Sequence, residues 1–469
     1  MDNKKDKATD STGFSRSGHT RKMSESLIAF IVALIIGLIT GVCAYILKLT
    51  IDSISRFLTQ GMDLSQGNWR LLILPLAGII LTSLYVHYIA KERLTHGTSC
   101  ILSDIAQHKS NLGSSLIYSP IIGCSLTLGF GGSAGSEGPI AYTGAAIGSN
   151  IGKLFRVNSH IMMILLGCGA GAGIAAIFKA PVGGMLFTLE VLRMELTTLS
   201  ALTLLTSCLT AALTAYILSG CTVDMALYNP SSFDVSALPY IIMLGVFCGI
   251  YSLYYSGVMK RMDRFWSSMS HPWIKHLSSG IIISGLVFLF PAFYGEGYST
   301  IGEILNGHPS SIVNDSIFFF TANRGWGLIA VTGIILLLKS FMTSATNSGG
   351  GVGGDFAPTL FAGCMAGLFF TSILNQAFGL GLDSGNFAYF AMAGVMAGAI
   401  HAPLMAIFLT VEMTGQYTLL LPLTIDAAIS YGIVRFFDNE TFYVNRIKLW
   451  RHHKKANPRN SASAHDGRN

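Results

Sequence analysis

The sequence predicts an all-α, polytopic membrane protein built from two inverted repeats of tilted and broken helices. Three observations carry this prediction: an apolar composition, uncharged stretches long enough to cross a bilayer, and a pair of motifs that occurs twice in the same order. Hydrophobic residues make up 51% of the 469 residues and charged residues only 12%. That leaves too little polar surface to cover a water-soluble globule of this size.

Stretches of membrane-spanning length occur along most of the chain. Residues 27–47 and 71–90 carry no Lys, Arg, Asp or Glu, and each is long enough for a hydrocarbon core about 30 Å thick. Glycine and proline interrupt several of the later stretches, so the number of crossings stays open. These further apolar stretches are residues 162–177, 196–218, 239–259, 277–294, 325–338, 357–374, 387–400 and 419–437.

Basic residues are concentrated at the two ends of the chain. Of the 30 Lys and Arg residues, six precede residue 27 and seven follow residue 437. By the positive-inside rule we expect both termini in the cytoplasm and the protein in the plasma or inner membrane of the cell, which requires an even number of crossings. The net charge of +6 is mostly in these tails, so we expect no nucleic-acid surface.

The cysteines and the known site motifs predict no metal, cofactor or enzyme site. The eight cysteines are scattered through apolar segments without a CxxC pair or a Cys/His cluster, which argues against a metal site or a disulfide framework. No Gly-Lys-Ser/Thr follows a glycine loop, and no HExxH motif is present. We therefore expect neither a nucleotide cofactor nor an intramembrane enzyme.

Two motifs recur in the same order in the two halves. APVGGMLFTLEV at residues 180–191 and APLMAIFLTVEM at residues 402–413 begin with Ala-Pro and carry Thr and Glu at identical offsets. GSEGP ends at Pro139, 42 residues before the proline of the first copy, and GDFAP ends at Pro358, 45 residues before that of the second. Duplicated halves with segments broken by glycine and proline are typical of transporters.

These repeats divide the chain into five parts. If the halves are inverted, each crosses the membrane an odd number of times, which agrees with an even total. The expected parts are a disordered cytoplasmic tail (1–26), a first membrane repeat (27–223), a linker (224–238), a second membrane repeat (239–445) and a basic cytoplasmic tail (446–469).

A glycine loop precedes a predicted helix start in the first repeat. The segment GFGGSAGSEGPI, residues 129–140, contains five glycines, and irregular backbone within a membrane is tolerated only where it is buried in protein or lines a cavity. Pro139 is a favoured first-turn residue, so a helix is expected to start at about Glu137. Its free amides and its partial positive charge, about +0.5, make an anion site without a full charge.

The second repeat has the same arrangement. In NSGGGVGGDFAPTL, residues 347–360, glycines precede Phe356 and a long apolar segment, which predicts a second helix start. A partial charge suits transport, because an ion must bind well enough to enter and weakly enough to leave. A cation-coupled organic-anion symporter is a more distant alternative, but beyond Asp355 the sequence lacks the cation-binding cluster that it needs.

Glu137 is the candidate gate. A carboxylate in a glycine-rich helix start competes for the place of an anion, and protonation would release it. The alternative is an acidic residue that only caps the helix. The membrane context favours the gate, because acids within a membrane are rare and usually functional.

Four of these segments together resemble the CLC family of chloride channels and transporters. They are GSEGP, GDFAP, residues 180–191 and the segment APLMAIFLTVEMTGQYTLLLP at residues 402–422, and the similarity extends over residues 27–443. The resemblance implies chloride transport in the membrane part of a homodimer, with Glu137 as the gating glutamate.

The resemblance also implies a set of anion contacts. It assigns them to Ser136 and Gly138 beside the gate, to the backbone amides of Asp355 and Phe356, and to the hydroxyl group of Tyr443, for which a tyrosine at the membrane interface is the alternative. The remaining contact in the family is a serine.

The family serine aligns with His96, next to Gly97. Under a shifted alignment, Thr98 or Ser99 donates to the anion instead. Two further positions depart from the family: Ser136 replaces an arginine, and Asp355 introduces a carboxylate that must turn away from an anion.

The sequence favours passive, channel-like conduction over proton exchange. Exchangers in this family commonly carry a second acid at the position of Val191, and valine cannot relay a proton. Proton-coupled chloride antiport stays the alternative, with Glu190 or Glu195 as another proton entry. Because Glu190 and Glu412 recur at the same offset, we expect that these two acids cap or pair within the fold.

Overall fold

A computed structural model describes residues 13–61, 68–91, 94, 97–106, 111–221, 233–310, 312 and 325–456. In these residues the chain is helical apart from its connections and one isolated β-bridge. The α-helices are α1 (Gly13–Thr59), α2 (Arg70–Leu84), α3 (Gly97–Ala106), α4 (Ser119–Gly129), α5 (Glu137–Leu154), α6 (Ser159–Phe178), α7 (Pro181–Leu186), α8 (Thr198–Leu218), α9 (Leu238–Ser268), α10 (Pro272–Leu289), α11 (Tyr298–Leu305), α12 (Gly325–Gly349), α13 (Phe356–Phe378), α14 (Ser384–Ile400), α15 (Pro403–Thr414), α16 (Leu420–Phe437) and α17 (Phe442–Ala456).

Many of these helices are suited to cross a membrane. Within the described residues, nine helical segments are long and apolar enough, which confirms the multi-pass, all-α prediction. The segments are Leu27–Thr59, Arg70–Ala90, Ser159–Phe178, Thr198–Leu218, Val235–Ser268, Pro272–Leu289, Gly325–Gly349, Phe356–Phe378 and Tyr417–Leu449.

Helical structure begins earlier than the sequence suggested. The expected disordered tail over residues 1–26 is wrong for residues 13–26, which form the first part of α1. Once the apolar span has nucleated a helix, each further residue adds one backbone hydrogen bond, so the helix extends into the polar segment. Most of the expected linker, residues 224–232, lies outside the described part of the chain.

Helical structure also continues past residue 445, the expected end of the second repeat. Helix α17 continues to Ala456, and Arg446, assigned to the basic tail, is only 6% exposed. The Lys/Arg-rich composition after this residue suggested a solvated tail, but Arg446 has buried carboxylate partners, which compensate its charge.

Small residues bring α5 and α6 into close contact. A Cβ atom added at Gly144 would collide with the Gly169 carbonyl, and one added at Gly148 would collide with the Leu165 carbonyl. These glycines therefore serve helix packing. The result is a buried α5, with its start deep in the protein.

Two acids connect the halves of the chain reciprocally. Glu190, in the turn after α7, accepts hydrogen bonds from the amides of Leu404 and Met405 at 3.2 and 2.8 Å, at the start of α15. Glu412, on α15, accepts from the amides of residues 182 and 183 at 3.1 and 2.9 Å, at the start of α7. This confirms that both acids cap helices within the fold.

Candidate functional site

The starts of α5 and α13 lie side by side, as the sequence predicted. Their glycine loops exchange two backbone hydrogen bonds: the Gly135 amide donates to the Gly354 carbonyl at 3.1 Å, and the Gly354 amide donates to the Gly135 carbonyl at 2.6 Å. Apart from the half-buried Phe130 and Ser348, the residues of both loops are buried. One helix start from each half of the chain therefore contributes to a single enclosed site.

The Glu137 carboxylate lies between these two helix starts. Glu137 is the first residue of α5, and its Oε1 accepts a hydrogen bond from the Ala357 amide, in the first turn of α13, at 3.1 Å. The Tyr298 hydroxyl donates to the same oxygen at 2.7 Å. The other oxygen, Oε2, is buried and has no hydrogen-bond partner among the described residues. A negative group thus occupies backbone amides that would otherwise attract an anion.

Glycine is required around this carboxylate. A Cβ atom at Gly354 would lie 2.6 Å from the Gly138 nitrogen and 3.0 Å from Glu137 Oε2, and a Cβ atom at Gly135 would collide with the same oxygen. The absence of side chains at both positions lets the carboxylate and the two backbones approach one another.

A second glutamate, which the sequence analysis missed, lies at the start of α5. Glu296, in the loop between α10 and α11, accepts a hydrogen bond from the Ser136 amide at 2.9 Å. Ser136 was an expected anion contact, and it is 2% exposed. Its amide is therefore engaged with a carboxylate in this conformation.

The Asp355 side chain is paired with a buried cation. Arg446 Nη1 donates to Asp355 Oδ2 at 2.5 Å, and Arg446 Nε donates to Asp263 Oδ2 at 2.6 Å. Asn347 also donates to Asp355, at 3.2 Å. The carboxylate is thus directed to Arg446, which is the orientation required if only the backbone of Asp355 contacts an anion.

Tyr443 is buried in the protein and lies beside the start of α13. Its ring is stacked on Phe356 with 6.4 Å between the centroids. Tyr443 is 1% exposed, and no group in the described part of the chain forms a hydrogen bond with its hydroxyl. The alternative of a tyrosine at the membrane interface is therefore wrong, and the hydroxyl is a donor with unused capacity.

The hydroxyl group of Thr98 lies beside the start of α5 and can donate a hydrogen bond to an anion there. Its Oγ1 is buried without a hydrogen-bond partner, and a Cβ atom at Gly138 would lie 3.4 Å from it. Gly97 is the first residue of α3, and His96 lies outside the described residues. The geometry around Gly138 thus favours the shifted alignment, in which Thr98 is the donor.

A buried lysine lies close to the gate. Lys339 is fully buried, and its Nζ donates to Ser133 Oγ at 2.9 Å and lies 4.4 Å from the centre of the Phe361 ring. Ser133 lies in the glycine loop that leads to Glu137, so Lys339 binds this loop from the α12 side of the site.

Ser133 also belongs to a GxSxG pattern, GGSAG at residues 131–135. In serine hydrolases such a serine lies on a strand-to-helix turn, where its hydroxyl is exposed. Here Ser133 is fully buried in the loop between α4 and α5. The surroundings therefore do not match a nucleophile site of that kind.

Three functional candidates, Glu296, Lys339 and Arg446, were not found from the sequence. A signal was present for Glu296, because glycines flank it on both sides as they do in the motif around Glu137. A second signal was Lys339 itself, a single charge that ends an apolar stretch. Nothing in the local sequence distinguishes Arg446 from the other basic residues near the carboxyl terminus.

Comparisons with known proteins agree with this geometry. Residues 78–435 match the family model described as Voltage gated chloride channel. A ClcB-like chloride channel protein from Ralstonia nicotianae is 30% identical over 375 residues, which cover 77% of this chain and 82% of that protein. The H(+)/Cl(-) exchange transporter ClcA of Vibrio cholerae is 30% identical over 66% of this chain, and the match spans 64% of ClcA, less than two thirds of its length.

Solved structures show the same fold. A slow cyanobacterial Cl-/H+ antiporter superposes with a TM-score of 0.77 at 22% identity and covers 92% of this chain and 99% of its own. A CLC-type fluoride/proton antiporter superposes with a TM-score of 0.72 at 23% identity, over 90% of this chain and 98% of its own. With the family match over most of its membrane part, this chain belongs to the CLC family of voltage gated chloride channels and transporters.

Proposed function

We propose that this chain conducts chloride passively across a cell membrane, with Glu137 as its gate. The observation that supports this most directly is the hydrogen bond from the Ala357 amide to the Glu137 carboxylate. A carboxylate that occupies a helix-start amide behaves as a tethered anion, and a free anion must displace it. The proposal rests on the family and on this geometry together.

The gate works by competition. The amides at the starts of α5 and α13 attract negative charge, and they do so equally for a carboxylate and for chloride. Protonation of Glu137 removes its charge, which weakens the hydrogen bond that its carboxyl group accepts from the Ala357 amide. Chloride then replaces the side chain at this amide. The buried hydroxyl groups of Tyr443 and Thr98, which have no hydrogen-bond partner, are available to complete the anion's shell together with the Phe356 backbone.

The passive mode is inferred from the position of Val191. This residue ends the turn that carries Glu190, and it is 7% exposed. A valine cannot hold a proton, and Glu190 is committed to the amides of α15. No described acid at this position is therefore available to relay a proton toward Glu137.

Proton-coupled chloride exchange is the second candidate. It is favoured by the exchange activity in the names of the ClcA relative and of both antiporter structures. The fluoride/proton antiporter also makes fluoride an alternative substrate. Both readings use the same site and differ only in whether a proton travels with the anion.

The assembly and the orientation follow from the family resemblance and from charge. We place the protein in the plasma or inner membrane with both termini in the cytoplasm, and we infer a homodimer. Leucines exposed along α8, such as Leu202, Leu209 and Leu213, suit contact with lipid or with a second copy of the chain.

Chloride efflux from liposomes tests the proposal. Purified protein is reconstituted in liposomes loaded with chloride, diluted into low chloride with a potassium shunt, and monitored for chloride release and for proton movement. Passive conduction predicts release that needs the shunt but is indifferent to a proton ionophore. Uphill proton movement driven by the chloride gradient would establish exchange instead, and no chloride release above empty liposomes would refute both candidates.

A further inference from the structure

Glu296 binds the start of α5 in the same way as Glu137 binds the start of α13. The Glu137 carboxylate accepts from an amide in the first turn of α13, and the Glu296 carboxylate accepts from the Ser136 amide, directly before α5. Each of the two helix starts thus holds a carboxylate from a different part of the chain. Both are positions where a free anion would bind.

The loop that carries Glu296 has the features of a hinge. Gly295 and Gly297 flank the glutamate, with φ angles of 67° and 85°, a backbone conformation that glycine adopts readily. Tyr298, the next residue, donates to the Glu137 carboxylate. A movement of this loop would therefore affect both carboxylates.

The loop that carries Glu296 lies near a cavity at one end of the helices. Tyr294 of this loop donates to the Gly129 carbonyl at 3.1 Å, and Gly129 lies against the side chain of Ile54 on α1. The cavity holds about 340 Å³ and lies among the late residues of α1 and the last residues of α6 and α8. Its charged lining consists of Lys48, Asp52, Arg56 and Lys179. Three cations against one acid favour the entry of anions.

We propose that Glu296 is a second gating carboxylate, which occupies the Ser136 amide on the pathway between this cavity and Glu137. The inference rests on the proposed chloride transport. A monovalent anion arriving from the cavity displaces Glu296 first and Glu137 second. The fully buried Glu137 Oε2, for which the described residues provide no hydrogen-bond partner, lies against Gly135, the residue before Ser136.

Two carboxylates in series have a physical consequence. Each competes with an anion at its own helix start, so loss of either charge strengthens anion binding, and the two sites respond separately. A helix-start interaction contributes up to about 2 kcal/mol in partly buried geometries. The expected gain from removing the Glu296 charge is therefore about tenfold in chloride affinity, about 1.4 kcal/mol.

The test compares Glu296→Gln with Glu303→Gln. Glutamine keeps an oxygen that accepts from the Ser136 amide but has no charge, and Glu303, seven residues along and exposed, provides a matched control. Chloride binding is measured by calorimetry in detergent. We expect Glu296→Gln to bind chloride about tenfold more tightly and Glu303→Gln to bind like wild type.

A purely structural role for Glu296 gives a different result. If the glutamate only caps the Ser136 amide, glutamine preserves the cap and the chloride affinity does not change, which would overturn the inference. Size-exclusion profiles check that the variant is folded. If it is not, Glu296→Asp serves, because its shorter side chain releases the amide, and tighter binding is again expected while unchanged binding refutes the inference.

The Glu137→Gln variant separates this inference from the proposed function. If Glu137→Gln binds chloride more tightly than wild type and Glu296→Gln does not, Glu137 is the sole gate and the inference on Glu296 fails. If no variant binds chloride, the proposed function fails as well. A combined Glu137→Gln and Glu296→Gln variant is expected to bind more chloride ions per chain than either single variant.

Discussion

Both carboxylate oxygens of Asp355 accept hydrogen bonds from the Arg446 guanidinium, at 2.5 Å from Nη1 and 3.3 Å from Nη2. This pair explains how an acid can stand at a helix start that is proposed to bind anions. Arg446 balances the charge of Asp355 from α17, and on the other side it also binds Asp263. The backbone of the α13 start thereby keeps its attraction for an anion.

Replacement of Arg446 by methionine should be strongly destabilising. It leaves two buried carboxylates, Asp355 and Asp263, without their cation, and the loss of one partner of a buried pair typically costs about 3–5 kcal/mol. The Asp355→Asn change added to Arg446→Met should recover a large part of that loss, because one unpaired charge disappears. Thermal unfolding in detergent and chloride efflux measure both effects.

An exposed pair that involves Lys448, on the same helix as Arg446, provides the control for this prediction. Lys448 and Glu440 are paired at 2.5 Å with side chains 55% and 51% exposed, so Lys448→Met should cost about 0–1 kcal/mol. Two results would contradict the role of Arg446 in balancing the charge of Asp355. One is that Arg446→Met lowers stability no more than Lys448→Met, and the other is that Asp355→Asn restores no stability to Arg446→Met.

Removal of the Glu137 charge should weaken the response of chloride flux to pH, leaving only the part that Glu296 contributes. In wild type, protonation at low pH neutralises the carboxyl group and opens the pathway, so flux rises as pH falls. Glu137→Gln is neutral at every pH, and at neutral pH we expect about tenfold more flux, a barrier lower by about 1.4 kcal/mol. Chloride efflux from liposomes, measured between pH 5 and pH 8, tests both the pH response and the increase in flux. A variant that keeps the pH response of wild type would exclude Glu137 as the gate.

Replacement of either reciprocal cap should lower stability without changing the anion site. Glu190→Gln and Glu412→Gln each remove a negative charge from a helix start, at a cost of about 1 kcal/mol. Glu195→Gln, at an exposed position nearby, should have no effect on unfolding. Unfolding temperatures in detergent report the difference, and a Glu190→Gln variant with wild-type stability but altered proton movement would instead assign Glu190 to proton transfer.

Removal of the Tyr443 hydroxyl should weaken chloride binding and leave the fold intact. The hydroxyl has no protein partner, while the ring packs on Phe356 and is retained in Tyr443→Phe. We expect chloride affinity to fall about fivefold, the value of one modest hydrogen bond of about 1 kcal/mol.

Tyr389→Phe is the matched control for the tyrosine prediction. Tyr389 is fully buried and donates to the Gln416 carbonyl at 3.2 Å, far along the chain from the glycine loops. Its loss should lower stability by about 1 kcal/mol and leave chloride affinity unchanged. Equal chloride affinities in Tyr443→Phe and wild type would remove Tyr443 from the site.

The elements with a local physical cause could be predicted from the sequence. Glycine followed by proline marks a helix start, and the structure begins α5 at Glu137 and α13 at Phe356. The meeting of the two starts could also be predicted, because the same motif order occurs in both halves. The backbone hydrogen bonds between Gly135 and Gly354 join the corresponding glycine loops of the two halves.

The parts that sequence reasoning missed depend on contacts between distant segments. Arg446 reaches acids 91 and 183 residues away in the chain, and Glu296 lies 160 residues from the amide that it binds. Composition identified the region of Arg446 as a tail, because a basic run is usually solvated. Only the folded chain shows that one member of that run has buried partners.

The central claim is that chloride and the Glu137 carboxylate compete for the same helix-start amides. Bromide has strong anomalous scattering and is chemically close to chloride, so crystals of Glu137→Gln grown in bromide locate the anion directly. The account predicts an anomalous peak within hydrogen-bond distance of the Ala357 amide, where the wild-type carboxylate lies, and a weaker peak there in wild type. Bromide peaks in Glu137→Gln that lie only away from the starts of α5 and α13 would contradict it.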